Sequence, residues 1–212
     1  MKLYHFPLSP NCRRVQLAAA QLGVKFDEEQ VLDITKGEHK AADFIAINPN
    51  GMVPALVDGN LKLWESRGII QYLASKNPGS ELLGKDETAK ADITRWLSWD
   101  AGHLAPQVFT LVFENMLKGL LGIGAPDQVA VSQASEQLKR FFGVLDACLK
   151  GKRYLVGDSL TIADLSVAAT LTYWNELEFP INEFTNLKAW FDRITALEAW
   201  KKTQPDLGKK AA

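Results

Sequence analysis

Cysteine is scarce in this chain. Its 212 residues include two, Cys12 and Cys148. So few exclude a disulfide framework and suit a reducing compartment, so a cytoplasmic protein is expected. Histidine is scarce too. His5, His39 and His103 are scattered at spacings that match no metal-ligand pattern, and no metal is expected. An excess of charge is also missing. There are 24 basic and 25 acidic residues, for a formal net charge of -1. That removes the electrostatic case for nucleic acid or an anionic membrane surface. No apolar run approaches the roughly 18 residues that a membrane helix needs. The N-terminus passes from Lys2 through Leu3-Tyr4-His5 to Pro7 without a signal-peptide pattern. Internal repeats and low-complexity tracts are absent.

What remains is an ordinary globular composition, 47% hydrophobic and 23% charged. A chain of this length forms one large domain or two small ones. Residues 1–77 alternate in type. "KLYHF" reads as a strand ended by Pro7. "NCRRVQLAAAQLG" has helical spacing, with Val15, Ala18, Ala19 and Leu22 on one face and Gly23 as the stop. "KFDEEQVL" reads as a second strand. Residues 33–52 are polar and irregular, with a short helix over Ala41 to Ile45. Asp58-Gly59, between Leu56-Val57 and Leu61-Leu63, signals a hairpin. "SRGIIQYLASKN" is helical and stops before Pro78. The order β-α-β then β-β-α implies a parallel pair followed by an antiparallel one.

Beyond residue 77 the pattern changes. "NPGSELLGKDE" reads as a linker, and helical spacing dominates from Thr88. Leu138, Phe141, Phe142, Leu145 and Leu149 form one apolar stripe; Leu187, Trp190, Phe191, Ile194 and Leu197 form another. The expected organisation is an α/β domain over 1–77 and an all-helical domain over 88–205, with a frayed tail from about Thr203.

"FPLSPNCRRV" holds the first candidate chemistry. Ser9 follows a strand and precedes Pro10 and a helical run, the pattern of a serine cap with proline at the first helical position. By spacing alone, capping is the commoner role. Ser9-Pro10-Asn11-Cys12 is also a Cys-x-x-Cys pattern with serine in the first place. In redox proteins that place holds a thiolate, stabilised by free N–H groups and the helix dipole. Without its own sulfur, such a site can receive one from a substrate, with serine donating its O–H. Ionising a thiol near neutral pH takes roughly two or three pKa units, about 1.4 kcal/mol each. A charge-assisted hydrogen bond and a helix end supply energies of that order. Cys12, on the first helical turn, reads as a small packing residue or as an activated thiolate. Arg13 and Arg14 read as solvated or ion-paired.

"SPNCRRV", "INPNGMVPALVDGNLKLWESRGIIQYLA" and "GDSLTIADLSVAATL" together make the chain resemble the cytosolic glutathione S-transferases, over residues 1 to 200. "RWLSWDAGHLAP" looks like many bacterial members. The first motif is similar to the serine turn of the delta, theta and related classes. The resemblance implies a thioredoxin-like α/β N-terminal domain plus an all-α C-terminal domain, usually in a homodimer. Glutathione is the implied co-substrate and a small apolar electrophile the second.

Residue by residue, the resemblance makes Ser9 the donor to the glutathione thiolate. It aligns Val53-Pro54 with the family's cis-proline, where the Val53 backbone pairs with an extended peptide. Glu65 then faces the γ-glutamyl ammonium, and Ser66 its carboxylate at a helix N-terminus, with Arg67 in support. His39 and Asn50 are candidates for the glycyl carboxylate, although Gly51 stands where delta-like members often carry histidine. Phe6, Leu8, Pro106, Phe109, Phe113 and Trp174 are candidates for the electrophile's surroundings. Asp100 matches an acid that relatives send across the dimer interface, and Tyr4 is a rival to Ser9. Thr161 to Asp164 reads as a capping box with a folding role. Glutathione-dependent peroxidase or thiol-disulfide chemistry at Cys12, and a non-catalytic scaffold, are the alternatives.

Overall fold

A computed structural model describes residues 1–207 and divides the chain into two compact units. The first is Met1–Leu83 together with the stretch from Leu197 onward; the second is Gly84–Ala196.

The first unit is built on a four-stranded sheet of order β2-β1-β3-β4. β1 (Lys2–His5) runs parallel to β2 (Glu28–Val31), and the crossover between them is α1 (Pro10–Leu22). β3 (Ala55–Asp58) is antiparallel to β1 and to β4 (Leu61–Trp64). α2 (Ala42–Ile45) and two short 3-10 turns (Ile34–Lys36 and Glu38–Lys40) fill the irregular stretch, and α3 (Ser66–Ser75) follows β4. α1 starts where Ser9 and Pro10 start it, and ends at Gly23 with φ 68, a left-handed cap open to glycine without steric cost. Its apolar face packs against α3, and Leu3, Val15, Ala18, Leu56, Ile69 and Leu73 are fully buried. Each of the leucine, valine and isoleucine side chains among them contributes about 1.5–3 kcal/mol on leaving water. A second cluster of Leu32, Phe44 and Ala55 gathers Tyr4, Ile47 and Val53 around it. Tyr4 lies with its ring 5.6 Å from that of Phe44, which places its body in this packing.

The hairpin differs by one residue from its sequence signal. Asp58 pairs with Leu61, so the two-residue loop is Gly59-Asn60, with Gly59 at φ 57. Asp58 stays in the strand because its carboxylate accepts from Tyr72 Oη at 2.7 Å and Lys76 Nζ at 2.5 Å.

The second unit is helical. α4 (Glu87–Trp99) passes through a π-helical turn (Asp100–Leu104) into α5 (Ala105–Val112), and a second π turn (Phe113–Leu117) leads to α6 (Lys118–Leu121). α7 (Gln128–Leu149), α8 (Ile162–Thr170) and α9 (Thr185–Thr195) follow. The stripe Leu138, Phe141, Phe142, Leu145 and Leu149 is buried on α7, and Leu187, Trp190, Phe191 and Ile194 are buried on α9. α8 is buried along its whole length and opens on a capping box between Thr161 and Asp164. Asp164 also accepts from Leu155 N–H and Trp190 Nε1, each at 2.8 Å. Burial raises its carboxyl above the usual range, while these donors pull the other way.

The last helix, α10 (Glu198–Lys202), packs on α1 in the first unit. Thr203 Oγ1 donates to the Ala199 carbonyl at 2.8 Å, so the chain is still bonded at the start of the expected tail. The tail's last residues, 208–212, lie outside the described residues.

Candidate active site

Two helix N-termini and one loop of the first unit hold most of the residues that the sequence singled out for glutathione. At the first, Ser9 caps α1 in extended conformation (φ -84, ψ 121), and its Oγ accepts from Cys12 N–H at 3.4 Å. That bond is long, and it uses only an acceptor site. The hydroxyl hydrogen is left for another acceptor. Pro10 has no N–H and that of Cys12 is taken, so the Asn11 N–H and the dipole of α1 are what face the same place.

Cys12, one turn inward, is fully buried and accepts from Phe6 N–H at 3.3 Å through its sulfur. Burial pushes its thiol up to about 11, against the opposing pull of Phe6, Ser9 and Arg14. A thiol held there stays protonated at neutral pH, which leaves packing as its role.

The second helix N-terminus is that of α3. Glu65 alone separates β4 from α3, and it turns the chain at φ 67 and ψ 107, a backbone region that costs a non-glycine residue about 1–3 kcal/mol. Its side chain is exposed. Ser66 begins the helix and is 4% exposed. Its Oγ accepts from Arg14 Nη1 at 2.8 Å. Arg67 is half-buried beside it.

The loop runs from Asn48 to Pro54. The Val53-Pro54 peptide is cis, and β3 begins at the next residue. Asn48, 2% exposed, organises the approach to it. Its amide donates to the Met52 carbonyl at 2.6 Å, and its Oδ1 accepts from Asn50 N at 3.1 Å and Asn50 Nδ2 at 2.9 Å. Asn50 itself is exposed. Gly51 has φ 59, and a Cβ there would lie 3.0 Å from Ile45 Cδ1 and 3.2 Å from the His39 carbonyl oxygen. Histidine at this position would be strained and would need Ile45 and the His39 carbonyl to shift by a few tenths of an ångström, so this loop shape disfavours it. His39 is half-buried in its 3-10 turn, and its Nδ1 is buried without a hydrogen-bond partner. Burial, with Lys40, lowers its pKa, so the ring is neutral near pH 7 and able to donate or accept.

The residues expected around an electrophile divide between the units. In the first, Phe6 is a core side chain at 2% exposure and Leu8 is half-buried. In the second, Phe109 is 61% exposed and stacks on half-buried Phe113, with ring centroids 6.0 Å apart. Pro106 is exposed, and Trp174 packs edge-on to Phe191 at 5.5 Å. Asp100 does not project outward as expected. It is fully buried and accepts from Ser166 Oγ and Thr170 Oγ1, each at 2.7 Å.

For the arginines, the solvated reading is corrected: both are buried. Arg13, 1% exposed, lies 3.8 Å over the Trp200 ring and donates to the Trp200 carbonyl at 3.2 Å. Arg14 is fully buried, and the same Nη1 that reaches Ser66 also donates to Asn11 Oδ1 at 2.5 Å. Helical spacing contains the signal for this. Arg14 is one turn before Ala18 and Arg13 one turn before Leu17, so both lie over buried faces. Asn48 was missed as well, although Asn-Pro-Asn-Gly is a side-chain-stabilised turn signal.

Known proteins fit this arrangement. The glutathione S-transferase N-terminal domain model matches residues 3–81, and the C-terminal domain model matches residues 103–198. Glutathione S-transferase 3 of Zea mays is 40% identical over 209 residues, which cover 96% of this chain and 92% of the relative. The crystal structure of glutathione transferase F7 from Populus trichocarpa has a TM-score of 0.89 at 31% identity, covering 95% of this chain and 96% of that one. A glutathione S-transferase-I bound with the ligand lactoylglutathione has a TM-score of 0.87 at 30% identity, covering 96% and 97%. Relatives of this kind are plant phi-class enzymes rather than bacterial delta- or theta-like ones, and a glutathione S-transferase D7 of Drosophila melanogaster is 30% identical over 215 residues. The scaffold alternative gives way to enzymes named for transfer. The chain belongs to the glutathione S-transferase superfamily and is a glutathione transferase.

Proposed function

We propose that Ser9 activates the sulfur of glutathione in the manner of the serine-type transferases. The observation that supports this most is the cap geometry: Oγ takes the Cys12 N–H and keeps its own hydrogen for an incoming thiolate. The hydroxyl and the α1 N-terminus stabilise S⁻ relative to SH, and the deprotonated sulfur attacks an apolar electrophile.

The rest of the tripeptide is read along the same unit. Its cysteinyl backbone pairs with the N–H and C=O of Val53, beside Pro54. The γ-glutamyl ammonium meets the exposed Glu65, and its carboxylate meets Ser66 at the α3 N-terminus, with Arg67 in support. The glycyl carboxylate falls to His39, on its 3-10 turn, and to Asn50, whose side chain Asn48 holds in the loop. Leu8, Pro106, Phe109, Phe113 and Trp174 remain the candidates for contact with the electrophile; Phe6 supports from the core. The working molecule is a homodimer. Burial of Cys12 and its raised thiol weigh against peroxidase or disulfide chemistry through that residue.

Steady-state rates with glutathione and an aryl halide test the role of Ser9. Ser9→Ala is expected to lose about a hundredfold in kcat, the usual scale for one preorganised donor. Calorimetry should show glutathione affinity within a few-fold of wild type. Undiminished turnover in Ser9→Ala would overturn the assignment.

A further inference from the structure

The geometry points to Arg14 as a positioning residue for the γ-glutamyl carboxylate, acting through Ser66. The inference rests on the reading of Ser66 proposed above. Arg14 is on the second turn of α1, fully buried, and has no path of its own to a ligand in solvent. One nitrogen, Nη1, uses its two hydrogens on two acceptors: Asn11 Oδ1 at 2.5 Å and Ser66 Oγ at 2.8 Å. Asn11 is on the first turn of α1, two residues from Ser9, and Ser66 is the first residue of α3. A single guanidinium nitrogen therefore joins the two helix N-termini at which the thiolate and the carboxylate are read.

The bond also fixes which way Ser66 acts. A serine hydroxyl has one hydrogen and two acceptor sites. A guanidinium only donates, so Ser66 Oγ is the acceptor towards Arg14, and its hydrogen is turned away from the protein interior. A carboxylate is an acceptor only, and that outward hydrogen is what it needs. Without Arg14, the hydroxyl would be free to rotate and to donate inward. A cation beside the oxygen also polarises the O–H and strengthens its donation.

The test is a cycle between protein and ligand. Binding of glutathione is compared with that of 4-aminobutyryl-cysteinyl-glycine, which lacks only the glutamyl carboxylate. Wild type is expected to prefer glutathione by about thirtyfold, the scale of hydrogen bonds to a charged group. Arg14→Lys should lower that preference by about tenfold and change affinity for the analogue by less than about twofold. In turnover, the loss should fall on the KM for glutathione, with the pH midpoint of kcat unmoved, because Ser9 and the α1 terminus still govern the sulfur. Equal losses on both ligands would make Arg14 a merely structural residue and overturn the proposal, as would an unchanged preference. If wild type itself shows no preference, the reading of Ser66 fails and the proposal with it. Should Arg14→Lys not fold, Asn11→Ala decides. It removes the other acceptor of the same nitrogen from an exposed position, and about a threefold loss of preference is expected; an unchanged preference again overturns the proposal.

Discussion

Ser9 and Cys12 share one turn of chain, and burial separates their chemistry. The half-buried hydroxyl keeps a free hydrogen, while the fully buried thiol is pushed up to about 11. A thiolate is the reactive species, so a maleimide or iodoacetamide at pH 8 should label the partly exposed Cys148 and leave Cys12 unmodified in the folded protein. Mass mapping after digestion reads this directly. Rapid stoichiometric labelling at Cys12 would contradict the burial seen here. Residue-scale features were unequally legible in the sequence. Ser9 was visible because a cap has a local signature: serine, proline, then a helical run. Arg14 was not, because its partner Ser66 is 52 residues away and only the fold brings them together. Glu65 was also hidden. Its φ of 67 sits at a residue type that announces no such conformation, whereas the glycines at Gly23, Gly51 and Gly59 do.

Elements were legible where a local pattern repeated, and opaque where tertiary bonds set the backbone. The strands, α1, α3, α7 and α9 follow periodicity and punctuation. The two π turns after α4 and α5 do not, because a widened turn has no residue signature of its own and is set by bonds to the rest of the unit. Each contains a buried acid with partners elsewhere in the unit: Asp100 with Ser166 and Thr170, and Glu114 with Asp127 N–H at 2.7 Å and Lys118 Nζ at 2.6 Å. The hairpin loop slipped by one residue for a similar reason, since Tyr72 and Lys76 hold Asp58 in the strand. A distant cap yields a measurable consequence. Asp146 on α7 accepts from Asn186 N–H at 2.7 Å, Leu187 N–H at 3.0 Å and Asn186 Nδ2 at 3.0 Å, and so closes the first turn of α9. Burial opposes its charge, but these donors together hold the carboxyl below its ordinary value of 3.8. A lowered folded-state pKa means stability that is present above the unfolded value and lost as pH falls through the folded one. Asp146→Asn should therefore cost about 1–2 kcal/mol near pH 7 in urea unfolding, with the difference closing below about pH 4. A difference that persists unchanged at pH 3 would show that the carboxylate's charge is not what α9 uses.

At the scale of the whole molecule, the proposal of a homodimer must find a surface, and the first unit offers one. Ile45, Met52, Leu61 and Trp64 are 37%, 67%, 39% and 39% exposed. They belong to neighbouring segments. Ile45 Cδ1 lies against Gly51, the residue before Met52, and Lys62 Nζ donates across to the Ala46 carbonyl at 3.0 Å, tying β4 to the end of α2. Single exposed apolar side chains are ordinary, but Ile45, Met52 and Trp64, on a helix end, a loop and the face of the edge strand that Lys62 shares, make a surface that association would bury, while Leu61 faces the other side of the sheet. β4 is an edge strand, where an exposed tryptophan invites a partner rather than repelling one. Sedimentation at micromolar concentration should then give twice the 23.5 kDa chain mass. Met52→Asp places a charge in the most exposed member of the cluster, and the dimer dissociation constant should rise by at least about tenfold, the cost of desolvating one unpaired carboxylate at such an interface. Met52 is adjacent to Val53, so the same variant separates two roles of this loop. If assembly is lost and glutathione binding persists, the glutathione site is complete within one chain. If both fall together, Asn48 holds Met52 and Val53 in a single conformation that the partner helps to set. A wild-type dimer that Met52→Asp leaves intact would remove this patch from the interface.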